Sequence, residues 1–150
     1  MIINKEILNG PYKLDRDCYG YHITTEPSFY KILKTGLKPK RGERSRSIGE
    51  EIKGVFFFED LRMLPFWTKR LYEDKDLSSL KVLRIHLEGL LWYAHNGGED
   101  YFLKRTVPIS RLDYLEALRS NGQELPINYC PSGDEEVVYD WIGCEKLSIK

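Results

Sequence analysis

Apolar and polar residues alternate in several short runs of the chain, and the alternation predicts strands. In residues 21–24, Tyr21 and Ile23 fall on one face while His22 and Thr24 share the other. Residues 54–58, "GVFFF", read as a buried strand. In residues 80–89, Leu83, Ile85 and Leu87 point inward with Arg84 and His86 opposite. Residues 101–107, 135–140 and 145–149 complete the predicted strands. Helical spacing appears in three places. Thr25 or Glu26 caps the first helix, Pro27 suits its first turn, Phe29, Ile32 and Leu33 form its stripe, and Gly36 takes a left-handed stop. A second helix runs from Leu64 to Leu71 with Pro65 near its start. The third is expected over residues 110–122, with Ser110 as cap, Asp113 at the reciprocal position, Leu112, Leu115 and Leu118 repeating, and Gly122 as stop. Residues 121–134 read as a loop. Strands outnumber helices, which predicts an α+β domain built on a small, mostly antiparallel split sheet with peripheral helices.

The chain has 150 residues, enough for one domain spanning 1–150 with a substantial core. Hydrophobic residues make up 41% and charged residues 31%, the balance of a globular protein and not of a disordered one. Lys+Arg and Asp+Glu number 23 each, so the whole chain lacks the charge excess of a general nucleic-acid binder. Cys18, Cys130 and Cys144 form no CxxC pair and have no histidine at metal spacing, so no metal site is expected and the thiols read as reduced. No run approaches the ~18 apolar residues of a membrane span. The opening "MIINKEILNG" lacks the apolar stretch of a secretory signal. A cytoplasmic protein without a membrane partner is the expectation.

Three stretches together carry a family resemblance. "YHITTEPSFYKILKTGL" (residues 21–37) has a strand with His, then Thr two residues on, then a short helix ending in Gly36-Leu37. "GVFFFED" (54–60) follows with a glycine and an aromatic strand, and "DEEVVYDW" (134–141) brings glutamates ahead of an apolar strand. In this order the stretches resemble the motifs of the histidine branch of the ADP-ribosyltransferase superfamily. That superfamily includes poly(ADP-ribose) polymerase catalytic domains, toxin-type and DNA-modifying mono-ADP-ribosyltransferases and, more distantly, tRNA 2′-phosphotransferases. The resemblance implies the superfamily's split-sheet fold and NAD as ADP-ribose donor, with no metal.

On these positions the resemblance implies that His22 bonds the adenosine ribose of NAD and Thr24 holds the nicotinamide amide. Tyr21 joins them as a neighbouring cofactor-binding position. Phe56 stands where the family carries a tyrosine; its ring keeps a stacking face for nicotinamide but lacks the hydroxyl. Arg41, Arg44 and Arg46 in "KRGERSR" would clamp the diphosphate by forked hydrogen bonds. Glu136, or Glu135 on the opposite strand face, would stabilise the cation that grows as the glycosidic bond breaks. Asn128 and Tyr129 fall in the segment that would choose the acceptor. Taken one at a time, these residues have plainer readings: a histidine satisfied by backbone, a buried aromatic strand, a solvated basic loop, and edge charges that discourage aggregation. Taken together they imply a mono-ADP-ribosyltransferase acting on a protein side chain or a nucleobase, with an antitoxin or immunity protein as a further partner. An NAD-dependent RNA 2′-phosphotransferase and a non-catalytic NAD or ADP-ribose-binding module are the alternatives.

Overall fold

The computed structural model describes residues 8–40, 53–95 and 100–147. Nine strands and two α-helices are found among these residues: β1 (Leu8–Tyr12), β2 (Tyr19–Thr25), α1 (Glu26–Thr35), β3 (Val55–Phe57), α2 (Leu64–Tyr72), β4 (Leu80–His86), β5 (Trp92–His95), β6 (Asp100–Leu103), β7 (Leu112–Ser120), β8 (Gln123–Glu124) and β9 (Val138–Gly143). Every strand pairing is antiparallel. One sheet has the order β1-β5-β6-β3; the other runs β2-β4-β7-β8, with β9 also on β7. The architecture is therefore α+β with two mostly antiparallel sheets. No helix among the described residues is long and apolar enough to cross a membrane.

The first half of the chain folds as its punctuation predicts. α1 carries Pro27 in its first turn and buries Phe29 and Ile32. It ends at Gly36, whose φ of 85° suits a residue without Cβ. A Cβ there would also sit 2.8 Å from the Val107 carbonyl oxygen. α2 has Pro65 in its first turn and buries Leu64, Trp67 and Thr68. The two helices serve different cores. Phe29 and Ile32 join Val55, Phe57, Leu83, Ile85 and Leu112 in one cluster. Leu64 and Trp67 join Ile23, Phe58 and Val82 in the other. β4 alternates between them, so its inward Leu83 and Ile85 are fully buried while Arg84 and His86 both reach Asp113 on the opposite face.

The second half corrects the expected helix over residues 110–122. That segment is a short 3-10 turn, Ile109–Arg111, followed by β7. The spacing of Leu112, Leu115 and Leu118 suits a helix only until a bulge is counted. Leu115 pairs with Trp141 and Ala117 with Asp140, which leaves Glu116 as the extra residue and shifts the alternation by one. Asn121 and Gly122 have φ of 52° and 77°, the two positive values of a type I′ turn, and they fold β8 back onto the end of β7. Hydrogen bonding to β4 on one side and β9 on the other overrides the local helix preference of Leu, Glu, Ala and Arg. The later strands are also shorter than expected. Regular pairing of 101–107 stops at Leu103, β9 begins only at Val138, and Cys144–Lys146 form a 3-10 turn over the start of the strand expected at 145–149, of which residues 148 and 149 lie outside the described residues.

Replacing Gly122 with Ala should cost about 1 kcal/mol, because its left-handed backbone penalises a Cβ. Gly133→Ala, also in open space but without a positive φ, should cost nearly nothing. Urea unfolding of the two variants checks this; equal stabilities would remove the hairpin turn from the account.

Candidate functional site

The two sheets touch along β2 and β3, and the contact is broken. Tyr21 and Phe58 exchange both backbone hydrogen bonds, at 2.8 and 3.0 Å. An antiparallel ladder continuing from that pair would next join Ile23 to Phe56. Instead the strands part, and buried carbonyls left there without donors would be costly. Side chains fill the gap: the Tyr72 hydroxyl donates to the Ile23 carbonyl at 3.2 Å, and His22 Nδ1 donates to the Phe56 carbonyl at 2.7 Å. One step further along β3, Gly54 exchanges backbone bonds with Lys40 at 2.9 and 3.0 Å. The edge of β3 that faces β2 thus meets three partners in turn: a strand, an imidazole and the chain after α1.

The bond to Phe56 settles the chemistry of His22. Nδ1 must carry the proton to donate to a carbonyl, so Nε2 of the neutral ring is the acceptor. Burial pushes the imidazole pKa below its ordinary value, the bond to Phe56 opposes this, and the nearby Lys40 charge adds to the lowering. Thr24 lies on the same face of β2, as alternation predicts, and is 5% exposed. Phe57 faces the core, and Phe56 takes the other face of β3. The Phe56 ring packs edge-to-face with His95 and tilted against Phe102, each with its centroid 5.4 Å away. His95 is itself buried and bonds Asp100 through Nδ1 at 2.8 Å.

His22 and the Phe56 carbonyl therefore meet at the break, with Thr24 on the His22 face of β2. The Phe56 ring turns to His95 and Phe102 on the face of β3 that carries Phe58, and the other candidates lie elsewhere. Tyr21 projects from the opposite face of β2, where it stacks on Trp141 at 5.8 Å and lies beside Phe58. Arg84 fills the same face, held between the Tyr19 and Trp141 rings at 4.6 and 4.8 Å and anchored on Asp113. Arg41, Arg44 and Arg46 lie outside the described residues. Glu135 and Glu136 precede β9 instead of opening it, so strand alternation does not assign their faces. The Glu135 carboxylate accepts from the Tyr129 hydroxyl at 2.7 and 3.0 Å, which also holds its pKa below the ordinary carboxylate value. Asn128 is exposed on the same loop. The Glu136 carbonyl accepts from the Ser120 hydroxyl at 3.1 Å. Ser120 ends β7 six residues beyond Tyr114, which connects to His22 through Leu83. At about 3.3 Å per residue, that separation runs to more than 15 Å.

Sequence reading missed His95, Asp100 and Lys40. The glycines after His95 suggest a loop, yet His95 is the last residue of β5. Asp100 gains its meaning from strand order, because β6 and not β9 lies beside β3. Lys40 has no local signal. A surface cleft of about 300 Å³ lies beside Cys18, Tyr19 and His86, and one of about 280 Å³ follows the β7 bulge; His22 lines neither. Among the described residues no group of three or more His, Cys, Asp or Glu side chains is placed to hold a metal ion. Comparison with protein-family models, with curated proteins and with solved structures returns no match.

Stability should report the state of His22. In the unfolded chain the imidazole protonates near its ordinary value of about 6.5, while the native ring stays neutral to lower pH. Below about pH 6.5 the unfolded state binds a proton that the native state does not. Stability then falls as pH drops toward the native pKa, by up to about 1.4 kcal/mol per pH unit. Urea titrations of the wild type and His22→Gln between about pH 5 and 7.5 should show a shallower slope in the variant. Identical slopes would mean that the ring is not held neutral.

Proposed function

We propose that the protein is an NAD-dependent mono-ADP-ribosyltransferase with the dinucleotide lying along the break between β2 and β3. One observation carries the reading: the strand with the His-x-Thr motif and the strand with the aromatic motif, 34 residues apart, part from each other where His22 bonds Phe56. A neutral imidazole with Nδ1 spent on a carbonyl offers Nε2 as an acceptor to a ribose hydroxyl. Phe56, braced by His95 and Phe102, offers nicotinamide an aromatic ring that does not have to be ordered on binding.

In the reaction the glycosidic C–N bond breaks, its electron pair leaves with nicotinamide, and the ribose becomes oxocarbenium-like. The acceptor's nucleophile then bonds to the anomeric carbon and loses its proton. A carboxylate aimed at the developing cation lowers the barrier. The sequence expectation gave this role to Glu136 or Glu135, but strand order favours the start of β6. Asp100 stands two positions before Phe102, the partner of Phe56, and so opposite Phe58, which itself pairs with Tyr21; it shares the sheet face of the Phe56 ring, and His95 holds one of its carboxylate oxygens. That is two strand spacings from β2, about 10 Å. Glu99, its neighbour in sequence, lies outside the described residues. The acceptor is a macromolecule, either a protein side chain or a nucleobase, and an antitoxin or immunity protein is a further partner of this reading.

The alternative of a non-catalytic NAD or ADP-ribose-binding module has a specific observation behind it. Glu135 is engaged by Tyr129 within its own loop, and Phe56 brings no hydroxyl to the break. Nicotinamide release from labelled NAD separates the two readings. Asp100→Asn should lower turnover by ~10²–10³, while Glu135→Gln and Glu136→Gln should leave it within about twofold. NAD at one hundred times its dissociation constant should stabilise the fold by about 2.7 kcal/mol, a gain that His22→Ala removes. Stabilisation without release would favour the module; neither effect would exclude both.

A further inference from the structure

The segment after α1 is pinned at two points. Leu37 exchanges backbone bonds with Val107, both at 2.9 Å, and Lys40 does the same with Gly54. Both bonds of the second pair use the edge of β3 that β2 has left, two residues from the carbonyl that holds His22. Lys40 is therefore a fixed residue at the open end of the break, and its side chain is exposed. Its charge is felt at His22, where it helps to lower the imidazole pKa.

The two groups are complementary in kind. A neutral imidazole acceptor suits a hydroxyl but repels a phosphate oxygen, since both present lone pairs. An ammonium group has three donors and a full positive charge, and it suits a phosphate. The diphosphate of a dinucleotide is doubly negative at neutral pH and flanked by ribose hydroxyls. We propose that Lys40 anchors the diphosphate of the bound dinucleotide, with His22 taking an adjoining ribose hydroxyl. This rests on the NAD reading above and gives to one lysine the role that the sequence suggested for Arg41, Arg44 and Arg46. Lys38, exposed and two residues away, is a control of equal charge without the bonds to Gly54.

Calorimetric titration of the wild type, Lys40→Gln and Lys38→Gln with NAD, adenosine and inorganic pyrophosphate tests the assignment. Lys40→Gln should weaken NAD and pyrophosphate about tenfold or more, the effect of losing one charge-assisted bond. It should leave adenosine affinity and the unliganded melting temperature unchanged, and the salt dependence of NAD binding should flatten. Lys38→Gln should change none of these. In NMR titrations without ligand, the His22 pKa should rise in Lys40→Gln and stay put in Lys38→Gln. Equal NAD affinity in the wild type and Lys40→Gln, or an equal loss in both variants, would overturn the lysine's role and leave NAD binding intact. Lys40-dependent binding of pyrophosphate without binding of NAD would support the anion anchor and reject the NAD reading. Binding of neither would overturn both.

Discussion

The hydrogen bond from His22 to the Phe56 carbonyl is the point from which the rest of the site follows. Two antiparallel strands that pair at Tyr21 and Phe58 and then diverge must find other partners for their backbone groups, or lose more free energy than the divergence can return. His22 and Tyr72 supply those partners from opposite sides of the gap. The same bond selects the imidazole tautomer and leaves the second nitrogen as an acceptor, while burial keeps the ring neutral against it. A structural necessity of the split thus sets the chemistry that the split can offer. The plainer reading of His22, a histidine satisfied by backbone, and its reading as a ligand are therefore compatible, because they use different nitrogens.

Aromatic residues hold both sides of the break in place. On one sheet Phe56 rests among His95 and Phe102, and Tyr93 stacks behind Phe102 at 5.4 Å. On the other, Arg84 is held between Tyr19 and Trp141 while Asp113 secures both Arg84 and His86. Ring stacking and charge-assisted hydrogen bonds add to the two apolar clusters in fixing these strands. Gly20 allows the sheets to approach, since a Cβ there would fall 2.3 Å from the Phe57 ring. The packing leaves the position of the break little freedom to slide along β2.

Some of this was legible in the sequence. The limits of α1 follow from Pro27 and Gly36, those of α2 from Pro65 and its apolar stripe, and the alternation of β2 and β4 from period-two patterning. These features are local: each rests on dihedral preference or on spacing within one element, and one chain segment suffices to read them. The pairing of His22 with Thr24 on one face of β2 is of the same kind, and so is the separation of Phe56 from Phe57.

What lay beyond the sequence required knowing which segments are neighbours. A strand with one bulge and a helix can share the spacing of Leu112, Leu115 and Leu118, and only the ladders to β4 and β9 decide between them. Asn121-Gly122 was the available signal, because its two positive φ angles suit a hairpin turn better than a helix stop. The glutamates looked suited to the site because a carboxylate before an apolar strand is a local pattern, yet the loop turns Glu135 onto Tyr129 and seats Glu136 beside Ser120. Lys40 and Asp100 showed nothing in the sequence, and strand order brings one to the open end of the break and the other beside its closed end. Sequence determined the elements and the faces of their side chains, since those depend on torsions and period. Tertiary structure decided which faces meet, since hydrogen-bond register joins residues that no local pattern connects.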